Sequence, residues 1–351
     1  MNITLLIPSY NPTVDIIELI KDLLNKTNNN ILIINDGSSK ETISIFDELS
    51  KMDRVHVLHH ETNSGKGKAI KTGLTYLNTC KENEGVITLD DDGQHLIKDV
   101  LKLEQALIQE PSKFILGSRK FDLNTPKRSL LGNTISSYTM SLLHNINLRD
   151  TQTGLRAFSK EQYQWMIDTN GDKYEYETNI LINSKFNNIQ LVEVNITTVY
   201  LNNNENSKFH SLKDGFKVYF SMFKIVQNYI LIALSSFLID IIIFILMYNL
   251  LKINFNVLST VALSTLIARL ISSTYNFLLN QYLFMRKLIE FSFKRVIKYI
   301  LLWIIIISLS ITFVDIFIQV FNIEYALSKI IVDLSLAIIS YYVQMKFIFI
   351  D

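Results

Sequence analysis

The sequence has very little cysteine and almost no net charge, and these two shortages exclude several classes of protein. Cys80 is the only cysteine among 351 residues, so no disulfide can form within the chain, and the composition fits a reducing compartment. The formal net charge is +1, which provides no bulk attraction to nucleic acid. We therefore expect neither a disulfide framework nor a nucleic-acid partner.

The start of the chain also lacks the pattern of a secretory signal. Its first apolar run, residues 3–7, is too short for one and is followed at once by Pro8 and Asn11. We therefore expect the N-terminal domain to stay in the compartment where it is synthesised.

Hydrophobic residues are distributed unevenly along the chain. The overall apolar content of 48% and the positive mean hydropathy are averages over two different halves. Up to about residue 210, short apolar runs alternate with polar stretches rich in Asn and Lys. Beyond about residue 228, Ile, Leu, Phe, Tyr, Val and Ser predominate. This division predicts a soluble domain followed by a membrane domain.

The first half alternates between the patterns of strands and helices. Short β-branched runs predict strands at residues 3–8, 31–34, 55–58, 86–89 and 114–116. Between them apolar residues recur at helical spacing, as Ile16, Leu19, Ile20 and Leu23 do. This alternation predicts an α/β domain of right-handed βαβ units with a mostly parallel sheet. In such sheets, ligands bind beyond the carboxyl ends of the strands.

The second half contains four apolar segments long enough to cross a membrane, where about 20 residues span a hydrocarbon core of about 30 Å. They lie at about residues 229–250, 257–279, 297–318 and 325–345. Lys and Arg are concentrated before the first segment and between the second and third, which predicts that both termini are cytoplasmic. The alternative, a buried all-helical soluble domain, explains neither this charge bias nor four such segments.

The strongest chemical signal is a cluster of carboxylates after the fourth predicted strand. Asp90, Asp91 and Asp92 precede Gly93 and Gln94. Oxygen ligands at a strand end suit a hard divalent cation, Mg²⁺ or Mn²⁺. The side chains at positions 90, 92 and 94 could converge on such an ion. An isolated run of this kind is equally typical of a solvated acidic turn, and it lacks the remaining ligands of a calcium-binding helix–loop–helix.

Three further polar segments follow the first three predicted strands, and they change the meaning of the acidic run. They read IPSYNP at residues 7–12, INDGSS at 34–39 and NSGKGKA at 63–69. Alone, each is a turn or a weak phosphate loop, and none has P-loop spacing. In this order, with the acidic run, they resemble the nucleotide-sugar domain of inverting family 2 glycosyltransferases. The resemblance implies a Rossmann-like GT-A fold.

Motifs further along the chain are similar to one branch of that family. They lie at residues 117–119, 128–133, 150–156, 174–177, 198–200 and 206–214. They resemble the polyprenyl-phosphate glycosyltransferases, which include dolichyl-phosphate mannose synthases and bactoprenol glucosyltransferases. Residues 268–280 resemble the GtrA-like four-helix membrane family. We therefore expect a catalytic domain at 1–210, an interfacial amphipathic helix at 211–228 and a membrane domain at 229–351.

The resemblance implies roles for residues on the donor side of the site. Pro8, Tyr10 and Asn11 are expected to line the pocket for the base and ribose. Asp36 would hydrogen-bond the base, and Lys66 would lie near the phosphates. The cation, Mg²⁺ or Mn²⁺, would be held by Asp90, Asp92 and Gln94. Asp91 would face the nucleotide or the sugar. Asp92 and Asp91 thereby become candidate catalytic residues.

The resemblance also implies a set of residues that bind the acceptor phosphate. Arg119 and Arg128 are the candidate catalytic cations, because the arginine fork binds phosphate bidentately. Asn133 and Lys208 complete the set, and Lys208 would lie on a loop that closes over the site. Asp150 and Glu175 are candidates for sugar recognition or, equally, for capping roles.

A polyprenyl phosphate needs little help in losing its proton, because its second pKa, by analogy with phosphoamino acids, is about 6. Positioning and electrostatics can then suffice without a strong base. We expect inverting transfer of glucose or an N-acetylhexosamine from its UDP derivative to undecaprenyl-type phosphate at the cytoplasmic membrane face. The alternatives are a GDP-mannose-dependent synthase and a lipid-linked-sugar transporter whose soluble domain only binds its ligand. A processive polysaccharide synthase is disfavoured, because the chain has no Gln-x-x-Arg-Trp motif.

Charged and aromatic residues leave two questions open about the membrane half. Phe216, Phe220 and nearby lysines suit an interfacial helix, whereas the simpler alternative is a helix packed on the catalytic domain. Asp240 and Arg269 lie within predicted spans, where charges mark a transport pathway or pair internally. Internal pairing would fix an anchor, with the spans as a possible homo-oligomer contact.

Overall fold

The computed structural model describes residues 1–120, 127–197, 213–251, 257–286 and 292–349. The chain divides into two compact units. The first comprises Met1–Ser141 and Ile146–Met222, and the second comprises Leu142–Asn145 and Phe223–Asp351.

Within the described part of the first unit, seven strands form one sheet in the order β3-β2-β1-β4-β6-β5-β7. The strands are β1 (Ile3–Ser9), β2 (Asn30–Asn35), β3 (Val55–His59), β4 (Gly85–Thr88), β5 (Phe114–Arg119), β6 (Arg156–Ser159) and β7 (Leu191–Ile196). Strand β6 runs antiparallel to both its neighbours, and the other pairs are parallel. The mostly parallel sheet and the GT-A class predicted from the sequence are confirmed. Strands β6 and β7 were not predicted.

Helices cover both faces of this sheet. They are α1 (Asp15–Lys26), α2 (Ile43–Leu49), α3 (Lys66–Thr79), α4 (Ile97–Gln109), α5 (Lys127–His144), α6 (Tyr163–Ile167) and α7 (Glu175–Phe186). Successive residues of a strand point to opposite faces, so β1 contributes Leu5 to one buried cluster and Leu6 to the other. The first cluster includes Ile16, Ile20 and Leu23, which confirms the predicted buried face of α1.

The second unit is helical. Its helices are α8 (Lys213–Leu251, which begins in the first unit), α9 (Val257–Met285), α10 (Phe293–Gln319) and α11 (Tyr325–Val343). Helix α8 is continuous, although the sequence predicted an interfacial helix at 211–228 and a separate span from 229. Within the described residues, three stretches are long and apolar enough to cross a membrane: Gly215–Leu251, Phe293–Phe317 and Ile331–Ile348. Helix α9 is not among the stretches found within the described residues. Its role as a span stays a prediction.

Polar side chains connect the helices of the second unit. Arg269 Nε lies 3.7 Å from Asp240 Oδ1, which also accepts a hydrogen bond from Ser272. The internal pairing predicted as one alternative is therefore present. One helical turn further along α9, Asn276 donates to Ser236 and accepts from the Tyr299 hydroxyl. This amide thus joins α8, α9 and α10.

Replacing Asn276 by Leu is expected to destabilise the second unit by about 1–2 kcal/mol, since interhelical hydrogen bonds in membranes average about 0.6 kcal/mol each. The change removes bonds to Ser236, Tyr299 and Asn280. Thermal unfolding of the full-length chain in detergent measures the effect. Thr274→Val is the control, because that hydroxyl donates only to the Leu270 carbonyl of its own helix. Equal melting temperatures for the two variants would contradict the prediction.

Candidate active site

The polar segments that follow β1, β2 and β4 meet at one edge of the sheet because these strands are neighbours in the order β2-β1-β4. Ser9 Oγ donates to Asp91 Oδ2 at 2.7 Å, which links the end of β1 to the acidic run. The Asn11 amide group accepts from the Ser39 backbone N–H at 2.7 Å, and the Asn11 N–H donates to Ser38. These contacts join the segments that follow β1, β2 and β4 at one edge of the sheet.

The residues predicted to line the base pocket occupy different environments. Pro8 is buried within β1, whereas the Tyr10 side chain is exposed beside the edge just described. Asn11 adopts a φ of 46°, a left-handed conformation that Asn tolerates better than most residues. Its contacts hold the loop after β2 in place. Binding of a base by these residues stays a prediction.

Asp36 is 3% exposed and organises the start of α3. Its Oδ1 accepts from the Ser64 N–H at 2.9 Å and lies 2.8 Å from His60 Nδ1. Its Oδ2 accepts from the Gly65 N–H at 2.7 Å. His60 in turn lies 2.9 Å from the Thr72 hydroxyl through Nε2. The observed role of this carboxylate is to position the loop before Lys66, and its predicted bond to the base stays a prediction.

Lys66 lies between two carboxylates. Its Nζ is 2.6 Å from Asp90 Oδ1 and 3.0 Å from Glu177 Oε2, and the side chain is 17% exposed. Burial lowers the pKa of Lys66, but Asp90 and Glu177 outweigh this effect and hold that pKa above its ordinary value. Burial likewise raises the pKa of Asp90, but Lys66 and then His95 hold it below its usual range. Both partners are therefore charged at neutral pH.

The backbone around Lys66 packs against the first turn of α7 and the segment before it. Gly65 has a φ of 102°, and a side chain there would overlap the Asp172 carbonyl. A side chain at Gly67 would overlap Tyr176 in the same way. The Lys68 N–H donates to the Asp172 carbonyl at 2.9 Å. The Lys68 N–H at the start of α3 therefore already has a partner within the protein. The Lys66 side chain places a positive charge beside the acidic run.

The carboxylate of Asp90 rests against the backbone of Gly154, where any side chain would overlap both of its oxygens. Replacing Gly154 by Ala is expected to displace this carboxylate and lower turnover by about 100-fold, since misplacing a reacting group by about 1 Å can cost that much. Initial rates of the sugar transfer that the sequence resemblance implies measure the effect. Gly215→Ala is the control, because a Cβ at that helical position meets nothing within 4 Å. Equal rates for both variants would contradict the prediction.

Asp92 and Gln94 form the tight turn after Asp90. The Gln94 N–H donates to Asp92 Oδ1 at 3.0 Å, and Gly93 has a φ of 72°. Loss of hydration at this crowded turn, and then the negative charge of Asp90, raise the pKa of Asp92 above its ordinary value. Within the described ranges, no three His, Cys, Asp or Glu side chains converge as a metal site. The donor set nevertheless fits Mg²⁺ or Mn²⁺, which take one or two carboxylates together with phosphate oxygens from a substrate.

Arg119, at the end of β5, is held by a buried carboxylate. Its Nε and NH2 groups donate to the two oxygens of Asp150 at 2.6 and 3.0 Å, and its backbone N–H donates to the same side chain. Asp150 has 0% exposure, whereas the Arg119 side chain is 21% exposed. Of the two roles predicted for Asp150, the observed contacts favour a structural one. The acceptor-phosphate role of Arg119 stays a prediction.

The structure describes the other residues predicted to bind the acceptor phosphate to different extents. Asn133 on α5 is 3% exposed, and its amide joins the Arg149 carbonyl and the Thr151 N–H. Its observed contacts therefore hold the segment that carries Asp150, and phosphate binding stays a prediction. Arg128 lies in the first turn of α5, but its side chain is outside the described part of the chain. Lys208 lies outside the described residues altogether.

Two residues near Lys66 were not assigned a role from the sequence. Glu177 lies in the motif at residues 174–177, in which only Glu175 was predicted to have a role. Glu175 accepts hydrogen bonds from the Asp172 and Lys173 N–H groups and caps the start of α7. Arg156 donates to the Glu177 carbonyl at 2.8 Å and faces its carboxylate at 4.0 Å. Helix α7 has no distinct apolar stripe that would have indicated which way Glu177 faces, and no sequence pattern identifies Lys66 as the partner of Glu177.

The architecture of the chain is a GT-A domain followed by a helical unit with three candidate membrane spans among the described residues. The chain belongs to glycosyltransferase family 2, because residues 4–164 match the family model described as "Glycosyl transferase family 2". Residues 228–349 match "GtrA/DPMS, transmembrane domain". The predicted family and its fusion to a GtrA-like membrane domain are thus confirmed.

Three relatives show how far this similarity extends. An uncharacterized protein of Methanocaldococcus jannaschii is 32% identical over 225 residues, which cover 63% of this chain and 90% of that protein. The UDP-N-acetylglucosamine–dolichyl-phosphate N-acetylglucosaminyltransferase of Methanococcus voltae is 30% identical and covers 65% of this chain and 98% of its own length. The polyprenol monophosphomannose synthase of Mycolicibacterium smegmatis is 28% identical, with coverages of 48% and 65%.

Proposed function

We propose that this protein transfers a sugar from a nucleotide-sugar to a polyprenyl phosphate at a membrane surface. The observation that carries the proposal is the meeting of Lys66, Asp90 and the turn containing Asp92 at the edge of the sheet where the loops after β1 and β2 also end. Relatives named for dolichyl-phosphate and polyprenol-phosphate sugar transfer support the same acceptor class.

On the donor side, the proposal requires neutralisation of a departing diphosphate. Asp90, Asp92 and Gln94 would hold Mg²⁺ or Mn²⁺, which supplies positive charge to the leaving oxygens. Lys66 provides a second positive charge at the same place. Asp91, held by Ser9, lies beside them and would face the nucleotide or the sugar.

On the acceptor side, Arg119 presents a guanidinium whose orientation is fixed by Asp150. The phosphate nucleophile has a second pKa of about 6 and is largely dianionic at neutral pH. Positioning by arginine therefore replaces a strong general base. A single displacement inverts the anomeric centre, so an α-linked donor gives a β-linked lipid-phosphate sugar.

An exposed apolar surface on the first unit supports a lipid substrate. On α5, Leu131, Ile135 and Tyr138 lie on one helix face and are 62%, 44% and 68% exposed. At the start of α8, Phe216 and Phe220 are 71% and 52% exposed. We propose that this surface, with the segment predicted at residues 211–228, lies at the headgroup level of the bilayer.

The start of α8 also packs on the catalytic domain, so both interpretations of this segment have support. Val218, Tyr219 and Met222 contact the second buried cluster, and the Tyr219 hydroxyl donates to the Gly132 carbonyl at 3.3 Å. The exposed phenylalanines lie on the rest of the helix surface. We propose the domain boundaries 1–210, 211–228 and 229–351, with the catalytic domain and both termini cytoplasmic.

For the donor we favour a UDP-sugar, because the relative that is matched over 98% of its length is named for UDP-N-acetylglucosamine. UDP-N-acetylglucosamine and UDP-glucose are the first candidates. GDP-mannose is the alternative, since another relative is named a monophosphomannose synthase.

The test is incubation of the full-length chain in liposomes with undecaprenyl phosphate and each labelled nucleotide-sugar, followed by lipid extraction. Label in the lipid phase with one donor is expected, and EDTA is expected to abolish it. Absence of lipid label with every donor would overturn the proposal. A transporter with a binding-only domain would bind the nucleotide yet leave the lipid unlabelled.

A further inference from the structure

The contacts of Lys66 carry an inference about the order of events at the acidic run. The ammonium group is 2.6 Å from Asp90 Oδ1, the same carboxylate that is proposed to hold a cation. The other oxygen of Asp90 lies against Gly154 and 3.4 Å from His95 Nε2. A divalent ion that uses Asp90 Oδ1 would lie close to the Lys66 ammonium, and repulsion between the two cations favours displacement of the ammonium.

The surrounding backbone decides which partner moves. Asp90 lies two residues after β4, and its carboxylate rests against the backbone of Gly154, which limits movement on that side. The α3 backbone is equally fixed, because Gly65 and Gly67 pack directly against Asp172 and Tyr176. The Lys66 side chain remains as the element that can change position, since four rotatable bonds separate its ammonium from the helix.

The charges make this exchange favourable only when Lys66 finds a new anion. Breaking a largely buried ion pair by removing one partner is costly, because it leaves an uncompensated charge. The diphosphate of a nucleotide-sugar supplies that anion, and Mg²⁺ or Mn²⁺ compensates Asp90 at the same time. Glu177, which also contacts Lys66 at 3.0 Å, remains paired with Arg156 through the Glu177 carbonyl and the nearby guanidinium.

We propose that Lys66 is the resident counterion of Asp90, which a divalent cation displaces, so that cation binding transfers the Lys66 ammonium to the donor diphosphate. The inference rests on the proposed function, because it takes a nucleotide-sugar as the ligand. It makes Lys66 a competitor of the cation when no nucleotide is present and a partner of the diphosphate when one is bound.

The experiment measures Mn²⁺ alone, without nucleotide, on the full-length chain in detergent by electron paramagnetic resonance of the free ion. Lys66→Met is expected to bind Mn²⁺ about tenfold more tightly than the wild type, because the competing ammonium is gone. Lys66→Arg retains the positive charge and is expected to bind as weakly as the wild type. Asp92→Asn is expected to lose the Mn²⁺ that binds at this site. The difference in bound Mn²⁺ between this variant and the wild type therefore identifies the site.

Lys68→Met is the matched control, because it removes one positive charge from an exposed position on the same helix. Its Mn²⁺ affinity is expected to equal that of the wild type. If Lys66→Met lowers the melting temperature, Lys66→Gln gives the same comparison while keeping hydrogen-bond donors. Affinity that is unchanged or weaker in both neutral variants overturns the exchange.

Failure of this inference and failure of the proposed function give different results. A wild-type chain that labels lipid, together with neutral Lys66 variants that bind Mn²⁺ no more tightly, overturns the exchange alone. A chain that labels no lipid, together with neutral variants that bind Mn²⁺ more tightly, overturns the proposed function and supports the competition between Lys66 and the cation.

Discussion

Replacing Asp92 by Asn is expected to lower sugar transfer by about 10²–10³-fold, the range found when one stabiliser of developing charge is removed from an active site. The amide is nearly the same size as the carboxylate, and its oxygen can still accept the Gln94 N–H that Asp92 Oδ1 accepts at 3.0 Å. The turn therefore keeps its shape while the negative charge proposed to bind the cation is lost. Initial rates with saturating Mn²⁺, with the labelled lipid quantified, measure the effect.

Asp22→Asn is the control for Asp92→Asn. Asp22 lies on the exposed face of α1 and pairs with Lys26 at 3.0 Å across one helical turn. Exposed pairs of this kind contribute about 0.3–0.5 kcal/mol, so the melting temperature and the rate are expected to stay close to wild type. If Asp92→Asn kept the full rate of sugar transfer, Asp92 would not be a ligand of the cation. The proposed metal site would then lack its second carboxylate.

The second large effect is expected from Asp150→Asn. The buried carboxylate receives two side-chain bonds and one backbone bond from Arg119, as well as the Gln152 N–H. Removing one partner of a buried ion pair costs about 3–5 kcal/mol. Unfolding of the full-length chain, followed by intrinsic fluorescence in detergent, is expected to show destabilisation of this size. The freed Arg119 side chain is also expected to raise KM for polyprenyl phosphate more than KM for the nucleotide-sugar.

A nearby ion pair provides the matched control for Asp150→Asn. Arg149 Nε lies 3.4 Å from Glu193 Oε2, and the Arg149 side chain is 60% exposed. Arg149→Gln is expected to change stability by less than about 1 kcal/mol, because exposed pairs are screened by solvent. If Asp150→Asn were as stable as Arg149→Gln and left both KM values unchanged, Arg119 would not depend on Asp150 for its position.

The predicted features that the structure confirms all depend on local patterns. The spacing of Ile16, Ile20 and Leu23 follows from the period of one helix, and the apolar runs of β1, β2 and β4 are those of strands buried on both faces. Because parallel strands end at the same edge, the segments after them meet there whatever the details of packing. The family assignment rested on the order of those segments, and it was confirmed.

Contacts between distant residues could not be predicted in this way. Strand β6 enters the sheet between β4 and β5 although it follows both in sequence, and its short run resembles many loops. Lys66 reaches Glu177 from more than 100 positions away. Asn133, whose binding of phosphate stays a prediction, contacts the backbone on either side of Asp150. None of these pairings has a periodicity that a single sequence could reveal.

By itself, the sequence determined the class of the first domain, the helical membrane half and the edge of the sheet at which the polar segments meet, because hydrophobic period and strand order act locally along the chain. Only the tertiary structure decided which charges neutralise one another there. Asp36 supports the start of α3, Gly154 supports Asp90, and Lys66 pairs with Asp90 Oδ1. Which of these groups contact one another depends on packing across the sheet, where a shift of a few tenths of an ångström turns a contact into a clash.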